Sequence, residues 1–291
     1  MKKLISNREE MHINKGNIVI VILSFPLAAL ITLVSCIALF NPGFYGAETL
    51  NWQTQALGQD MIDLLVVVPA LLLTPFFSDR KYSTVSLIWA GIILYIIYTF
   101  MIYCFSVHFN MLFPLYCAIL GLSFYYFLWF ILSIIKKPVL GKIYYGTATR
   151  ITGIYFVVIS LVFYFLWLSE IISSIMRGAQ PESLVKTNLF TNPVHVIDLA
   201  FFLPGLFLSG LFILRRNRLS HVLTIVMLTF FIIMNITIGW LAFLLKKRGL
   251  ETSGLVTIIM TGLALISFIT LVWNTKKNRM GVKSLSIQSK A

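Results

Sequence analysis

The residues of this sequence that could do chemistry are ionisable side chains within long apolar stretches. Asp63, Glu170 and Asp198 are three such acids, and Asp60 and His195 precede the two aspartates by about one helical turn. An ionisable residue within a membrane span costs roughly 2.5–3.5 kcal/mol on insertion scales and usually serves a function. Carboxylates at similar depth would bind a proton or a cation, because either would relieve their mutual repulsion. These residues therefore form the candidate site.

A second interpretation of the same acids is structural. The macrodipole of a helix favours acidic residues near its N-terminus by about 0.3–1 kcal/mol. Asn192, which precedes a proline, suits the N-cap of a helix and would place acids in the turns that follow. If the second span begins near residue 58, Asp60 belongs to its first turn, whereas Asp63 and Asp198 lie deeper than the dipole reaches. The sequence leaves both interpretations open.

His195 and Asp198 are three residues apart, so their side chains can meet on one face of a helix. A histidine oriented by a carboxylate can act as a general base, a proton relay or a metal ligand. The alternative is an interfacial histidine with a local partner. No His-x-x-x-His or Cys-x-x-Cys spacing occurs, so no metal site and no cofactor is predicted. A hard cation held by Asp63, Glu170 and Asp198 would agree with the preference for oxygen ligands, but no motif supports it.

The stretch from Asn41 to Asp60 is rich in amide and aromatic side chains, and we expect a loop there, with residues 176–194 as its counterpart. Trp52, Gln55 and Gln59 would then cover the acids as a lid, because loops above a cavity commonly carry specificity residues. The alternative places Trp52 in the aromatic belt at the membrane surface. Polar groups within the spans that could hydrogen-bond to the site are Tyr95, Tyr98, Tyr103 and Asn235. The candidate ligand-binding residues are Asp60, Asp63, Glu170, His195, Asp198, Gln59, Asn192, Trp52 and Gln55.

One motif occurs twice in the chain, at an offset of 135 residues. The residues that match are Ile62-Asp63-Leu64, Pro69 and Arg80 with Ile197-Asp198-Leu199, Pro204 and Arg215. Apolar matches are common in so apolar a chain, but an Asp, a Pro and an Arg in register are not. The same offset superimposes the other apolar stretches, which predicts two tandem four-helix repeats. Each repeat holds an even number of spans, so both have one orientation. The prolines should kink both spans.

The composition indicates an all-α polytopic integral membrane protein. Hydrophobic residues make up 59% of the chain and charged residues 11%, against about 25% charged residues in soluble domains. Apolar segments of about 20 residues cross a membrane as helices, because lipid offers the backbone no hydrogen-bond partner. The eight segments that qualify are 17–40, 58–77, 83–107, 111–135, 151–175, 195–214, 220–245 and 253–274. The first is too long for a cleaved signal peptide.

The predicted organisation is a cytoplasmic N-terminal tail (1–16), a first four-helix repeat (17–135), a basic cytoplasmic connector (136–150), a second four-helix repeat (151–275) and a cytoplasmic C-terminal tail (276–291). Lys and Arg concentrate in the tails and in alternate loops, which predicts a plasma-membrane protein with both termini inside. The cluster Lys246-Lys247-Arg248 contradicts this bias. Cationic inner loops that face anionic lipid explain the net charge of +13, so the expected partner is the bilayer and not a nucleic acid.

Three functions are compatible with these observations. The first is binding or transport of a small molecule, lipid or cation at an outward-facing site between the repeats, which the duplication and the paired aspartates favour. The second is a membrane-embedded enzyme that acts on a lipid or lipid-linked substrate at the outer leaflet, with His195 as base and Asp198 orienting it. The third is an accessory subunit that assembles with a membrane partner or a second copy.

No recognised nucleophile or cofactor signature supports the enzyme. The apolar inner halves of most spans disfavour a complete transport pathway, because such a pathway should be lined by polar residues in both the inner and the outer half of the membrane. Binding or transport is the function that the sequence predicts.

Overall fold

The structure is a computed structural model that describes the backbone of residues 2–77, 84–135 and 146–288. Side chains are described for residues 19–77, 84–135 and 146–276. These residues form helices joined by turns, and the described part of the chain contains no strand. Arg80 of the repeated motif and residues 136–145 of the predicted connector lie outside the described residues.

Within the described ranges, eight helical segments are long and apolar enough to cross a membrane, which confirms the prediction of a multi-pass helical membrane protein. In chain order these first to eighth spans are Val19–Phe40, Leu50–Phe77, Thr84–Ser106, Phe113–Ile135, Thr147–Met176, Pro193–Leu214, Ser220–Lys247 and Gly254–Lys276.

The helices of the described chain include one short helix, α7, between the fifth and sixth spans. In chain order they are α1 (Lys2–Phe40), α2 (Leu50–Ile62), α3 (Val68–Leu73), α4 (Thr84–Ser106), α5 (Phe113–Ile135), α6 (Thr147–Met176), α7 (Glu182–Thr187), α8 (Pro193–Ile197), α9 (Leu203–Leu214), α10 (Ser220–Lys247) and α11 (Gly254–Gln288). Helical backbone therefore continues through residues 2–16 and 276–288, which the sequence suggested were polar tails.

The second and sixth spans are each interrupted by a π-helical turn. These turns cover Asp63–Val67 and Asp198–Phe202, and each ends two residues before a proline, Pro69 or Pro204. Proline has no N–H and clashes with the carbonyl four residues earlier, so a regular α-helix cannot run through it. The wider turn, with hydrogen bonds five residues back from Val68 to Asp63 and from Leu203 to Asp198, absorbs this disruption. The kinks predicted at both prolines thus have the form of π turns.

The second span begins earlier than the sequence suggested. Thr49 is its N-cap, and the side-chain oxygen of Thr49 accepts a hydrogen bond of 3.2 Å from the backbone N–H of Trp52. Trp52, Gln55 and Gln59 consequently lie on α2, and the expected loop ends at residue 49. Asp60 lies about three turns inside the helix, so first-turn dipole stabilisation does not explain it.

The third and seventh spans form the centre of the bundle and are its most buried helices. Gly91 allows their close approach, because a Cβ atom at that position would lie 2.6 Å from Thr229 Cβ and 2.7 Å from the carbonyl oxygen of Val226. The remaining close pairs are the third with the fourth span, the fifth with the sixth, and the seventh with the eighth. Every helix that carries a candidate site residue therefore packs on or beside this central pair.

Candidate functional site

A cavity of about 370 Å³ lies at the end of the bundle formed by residues 41–49, 107–112, 177–192 and 248–253, here called the cavity end. Its wall is mostly apolar and comes from the second, third, fifth, seventh and eighth spans together with residues 183–194. Small-molecule sites typically have volumes of about 300–1,000 Å³, and this cavity is near the lower end of that range. The lining residues used in the argument are Gln55, Gln59, Tyr98, Trp167, Lys186 and Thr237.

The first buried acid beside this cavity is Asp60, which is only 1% exposed. The hydroxyl of Tyr45 donates to its Oδ2 at 2.8 Å, and the hydroxyl of Tyr103 donates to its Oδ1 at 3.0 Å. Burial raises the pKa of Tyr45, in the loop before the second span, far above its ordinary value, and the neighbouring Asp60 adds to this effect. Tyr45 therefore remains protonated and acts as a permanent donor that fixes this loop to the second span.

Asp63 lies one turn deeper and connects the second span to the central pair. Its Oδ1 accepts a hydrogen bond of 2.9 Å from the side-chain amide of Gln59, which also donates to the Tyr95 hydroxyl at 2.8 Å. Tyr95 in turn shares a hydrogen bond of 2.7 Å with the hydroxyl of Thr237. Since Thr237 donates to the carbonyl of Ile233, Tyr95 is the donor in this pair. Asp63 Oδ2 has no hydrogen-bond partner among the described residues.

Asp198 in the sixth span has a different set of neighbours. The Tyr98 hydroxyl donates to its Oδ1 at 3.0 Å, and the Trp167 indole N–H donates to its Oδ2 at 2.9 Å. Asp198 is only half-buried. It therefore joins the third and fifth spans to the sixth, and both of its oxygens are occupied by donors from other helices.

His195 does not pair with Asp198, which the sequence suggested as its partner. The nearest carboxylate oxygen is Oε2 of Glu170, 3.6 Å from His195 Nε2, and this nitrogen has no hydrogen-bond partner among the described residues. The imidazole ring packs on Trp167 with a distance of 4.6 Å between ring centroids. Tyr98 and Trp167 are the described donors to Asp198, and the imidazole of His195 is directed toward Glu170 instead.

The structure separates the predicted site residues into two groups. Those that line the cavity are Trp52, Gln55, Gln59 and Asn192, whereas Asp60, Asp63, Glu170, His195 and Asp198 are not part of its wall. Each aspartate has at least one donor in the cavity wall: Tyr103 for Asp60, Gln59 for Asp63, and Tyr98 with Trp167 for Asp198. Trp52 is anchored through its indole N–H to the carbonyl of Ser106 at 2.8 Å, and Gln55 bonds to Asn51 at 2.7 Å.

Asn192 has the capping role that the sequence predicted. Its side-chain oxygen accepts hydrogen bonds from the backbone N–H groups of Val194 and His195 at 3.0 and 3.4 Å. Of the tyrosines expected near the site, Tyr95, Tyr98 and Tyr103 all contact an acid or its donor. Asn235 does not, because its amide donates to the carbonyl of Phe231.

Sequence reasoning missed Trp167, Thr237 and Lys186. The strongest available signal was Trp167, because a buried indole N–H generally requires an acceptor and Glu170 lies one turn away. The acceptor is Asp198, on another helix, and only the packing of the fifth span on the sixth reveals it. Thr237 and Lys186 carried no distinguishing pattern.

The short helix α7 lies at the mouth of the cavity. The ammonium group of Lys186 contacts Glu182 at 2.6 Å and Glu251 at 3.3 Å, and Thr49 donates to the backbone carbonyl of Lys186 at 3.1 Å. The hydrogen bond between Glu182 and Lys186 lowers the pKa of the acid and raises the pKa of the amine. Both groups thus stay ionised near neutral pH, and α7 is connected to both halves of the chain.

The basic cluster that contradicted the charge bias lies at this end as well. Lys246 and Lys247 occupy the last turn of α10, where the helix macrodipole favours cations. Arg248 follows them and donates to the hydroxyl of Thr54 in the second span at 3.0 Å. A capping role and a contact between helices together account for the cluster.

The described residues include no group of three or more His, Cys, Asp or Glu side chains that could hold a metal ion. Comparisons with protein-family models, with curated proteins and with solved structures found no match to this chain. The geometry of the cavity and of the acids behind it is therefore the basis for a functional assignment.

Proposed function

We propose that this protein binds a small amphipathic molecule in the cavity, from the outer face of the plasma membrane, as a transport or uptake protein. The observation that carries the proposal is the position of the cavity, which lies between helices from both halves of the chain, with Gln59, Tyr98 and Trp167, donors to Asp63 and Asp198, in its wall. A ligand that touches Tyr98 or Thr237 would act directly on the hydrogen bonds that join the two halves, which are Tyr98 to Asp198 and Tyr95 to Thr237.

The proposed architecture is two tandem repeats related by an axis along the membrane normal. The π turns support it, because Asp63–Val67 and Asp198–Phe202 have the same length and the same offset of 135 residues as the sequence motif. The third and seventh spans, at the centre of the bundle, are also equivalent under this offset. Parallel repeats with a binding site at their interface are a common transporter plan.

The proposed orientation places the cavity end outside and both termini in the cytoplasm. Arg150, Arg215, Arg216 and Arg218 lie at the opposite end of the bundle, as the bias of Lys and Arg toward the cytoplasmic side requires. The cations at the cavity end are Arg177, Lys186 and the 246–248 cluster. Arg177 donates to the carbonyl of Ser173 at 3.2 Å, and the others have the contacts described above.

The distribution of polar groups over the wall indicates the chemistry of the ligand. Ile102, Ile238, Leu241 and Leu245 provide apolar surface, whereas the amides of Asn51, Gln55 and Gln59 and the ammonium group of Lys186 provide hydrogen bonds. The described wall includes no carboxylate. An uncharged or anionic molecule with an apolar body of modest size fits this arrangement.

Aromatic rings close the cavity toward the other end of the bundle. The ring centroids of Phe202 and Phe230 are 3.9 Å apart, and Tyr98 lies 5.5 and 5.7 Å from them. Beyond these rings, Gly91 packs directly against the seventh span. The described conformation is thus open on one side, and transport would require these rings to separate, as alternating access does around a fixed site.

The alternative functions lack a comparable observation. His195, the base of the alternative enzyme, is not part of the cavity wall, and its Nε2 is 3.6 Å from Glu170 and not hydrogen-bonded. An accessory subunit would use the buried polar contacts for assembly, yet these contacts are satisfied between helices of the same chain.

Cysteine accessibility in intact cells tests the proposal. In a background that lacks Cys36, Cys104 and Cys117, Ala56→Cys should react with a membrane-impermeant maleimide, because Ala56 lines the cavity. Ala90→Cys is the matched control, since Ala90 is fully buried in the third span and should not react. Labelling of Ala56→Cys only after the membrane is permeabilised would place the cavity on the inner side and exclude uptake from outside.

The chemistry of the ligand can be tested by the unfolding temperature of the purified protein in the presence of small amphipathic molecules. A molecule that binds in the cavity should raise this temperature in the wild type and in Ala29→Phe, which is on the exposed surface of the first span. Ala242→Phe fills the cavity and should abolish the shift. A shift that Ala242→Phe leaves intact would show that the molecule binds elsewhere.

A further inference from the structure

One carboxylate oxygen in the described interior of the bundle has no hydrogen-bond partner. Asp63 is 1% exposed, and while its Oδ1 accepts from Gln59, its Oδ2 has no hydrogen-bond donor among the described residues. Buried polar atoms in native proteins are paired in the large majority of cases, and a buried carboxylate without a counter-charge is especially costly. Something that the described side chains do not supply is required at this oxygen.

Neutral hydroxyl groups surround the same acids. The hydroxyl of Ser35 is buried in the first span and lies beside Asp60. The Tyr116 hydroxyl is also buried, and its ring centroid is 5.1 Å from that of Tyr103, a donor to Asp60. Both oxygens of Asp60 accept from hydroxyl groups, so Asp63 Oδ2 is the carboxylate oxygen of this pair that has no hydrogen-bond donor among the described residues.

Positive charge is missing from this cluster. The described residues include no Lys, Arg or His in an ion pair with Asp60 or Asp63. The titratable groups that face Asp63 are Asp60 on its own helix and Tyr95 and Tyr103 on the third span. The seventh span contributes Thr237 through Tyr95, and the described part of the first span carries no charged side chain. All of these are acids or neutral groups.

We propose that Asp63 is the binding residue for a monovalent cation, either a proton or a sodium ion, and that Asp60 supports it. Either cation supplies the charge that the cluster lacks, and oxygen atoms are the ligands that a hard cation prefers. A site of three or more metal-ligating side chains is not required for either one.

Gln59 connects this cation site to the cavity. Its side chain lines the cavity wall, and its amide is the single described donor to Asp63. A rotation of Gln59 would open Asp63 to the cavity and at the same time break the contact with Tyr95. Cation exchange through the cavity, and its coupling to a ligand there, rest on the proposed function, whereas binding at Asp63 does not.

Thermal unfolding of the purified full-length protein, without any cavity ligand, tests the cation site. One series raises NaCl at fixed pH against choline chloride of equal ionic strength, and a second lowers the pH in sodium-free buffer. A bound cation at about a hundredfold excess over its Kd should raise the unfolding temperature of the wild type by roughly 5 °C. A response in the first series identifies sodium, and a response confined to the second identifies the proton.

Two aspartate variants test whether the rise in unfolding temperature depends on Asp63. Asp63→Asn should abolish it, whereas Asp198→Asn should keep it even if its unfolding temperature starts lower, because both oxygens of Asp198 already have donors. A wild type that responds in neither series, a full response in Asp63→Asn, or a lost response in Asp198→Asn would each overturn the proposal.

Chemical modification of the wild type tests the same site without relying on variants, which could fail to fold. Dicyclohexylcarbodiimide modifies protonated carboxyl groups in apolar surroundings, and peptide mapping should find the adduct on Asp63, with protection by NaCl if the cation is sodium. Modification confined to other acids would contradict the proposal. Because neither assay uses a cavity ligand, the cation site can hold even if Ala56→Cys labelling refutes uptake from outside.

Discussion

The aspartates at positions 63 and 198 begin π turns of equal length, and a proline follows each aspartate by six residues, yet their side chains are held in different ways. Asp198 accepts from a tyrosine of the third span and a tryptophan of the fifth. Asp63 accepts from Gln59, one turn earlier on its own helix, and its other oxygen has no partner within the described ranges. The same π turn thus carries one aspartate with a donor at each oxygen and one aspartate with a donor at a single oxygen.

The residues 135 positions away from each donor explain this difference. The counterpart of Gln59 is Val194, which cannot donate, so Asp198 must obtain its donors from other helices. The counterparts of Tyr98 and Trp167 are Ile233 and Thr32, and neither bonds to Asp63 in the described structure. Substitution of a few side chains is enough to turn a structural acid into a candidate binding residue, with the backbone unchanged.

The largest expected effect is a difference in unfolding free energy between the alanine variants of the two aspartates. Asp198→Ala leaves the Tyr98 hydroxyl and the Trp167 indole N–H without an acceptor, which should cost about 2–4 kcal/mol of unfolding free energy. Asp63→Ala removes a buried acid whose one described donor, Gln59, keeps its bond to Tyr95, so a change within about 1 kcal/mol is expected. Denaturant unfolding of the purified variants measures both. Equal losses of unfolding free energy in the two variants would contradict the proposed difference between the hydrogen bonding of Asp198 and that of Asp63.

The next effect tests how much the close packing of the third and seventh spans, which carry donors to both acids or their partners, contributes to stability. Gly91→Ala would push a Cβ atom into Thr229 and the Val226 carbonyl, which should cost about 1–3 kcal/mol. Gly121→Ala is the control, because nothing lies within 4 Å of the new Cβ and alanine favours a helix by up to about 1 kcal/mol. Thermal unfolding of the two variants should shift in opposite directions. A Gly91→Ala protein as stable as the wild type would show that the pair can separate without cost.

A smaller effect should be confined to the Asp63 side. Thr237→Val removes the acceptor of the Tyr95 hydroxyl, so a loss of about 1 kcal/mol is expected. Thr224→Val, in the same span, changes a buried hydroxyl with no hydrogen-bond partner in the described part of the chain and should be neutral or stabilising. The comparison fails if the two threonine variants unfold at the same temperature.

The smallest effect is expected at His195. His195→Gln keeps the approximate size of a side chain that does not line the cavity and whose Nε2 makes no hydrogen bond to the residues that the structure describes. The unfolding free energy should change by less than about 1 kcal/mol, and ligand binding should keep its pH profile. An enzyme with His195 as its base would instead lose about 10²–10⁴-fold in turnover. Such a loss would favour the enzyme over the binding protein.

The sequence predicted those features that are fixed locally. The eight apolar segments, the N-cap at Asn192 and the disruption before each proline depend on residues within a few positions, and the structure contains all of them. The start of the second span was predicted too late, because the polar residues after Thr49 resemble a loop in composition while they form a capped helix. Hydropathy alone cannot detect a helix that extends beyond its apolar core.

The contacts of the acids could not be predicted to the same extent. Tyr95, Tyr98 and Tyr103 were recognisable as polar groups on one span, but the choice of Tyr98 and Trp167 for Asp198 depends on which helices pack together. The expected pair of His195 and Asp198 had suitable spacing and did not form: the described donors to Asp198 come from other helices, and His195 lies beside Glu170 of the fifth span. Spacing along one helix indicates which side chains can meet, and packing between helices decides which of them do.

The π turns also bear on the ancestry of the chain. A π turn contains one residue more than the α-helical turn it replaces, so its simplest origin is the insertion of a single residue into a helix. Both turns begin at the aspartate and preserve the offset of 135 residues on either side. Under the proposed duplication, the insertion was therefore already present in the ancestral four-helix unit, and the two acids acquired their different neighbours afterwards.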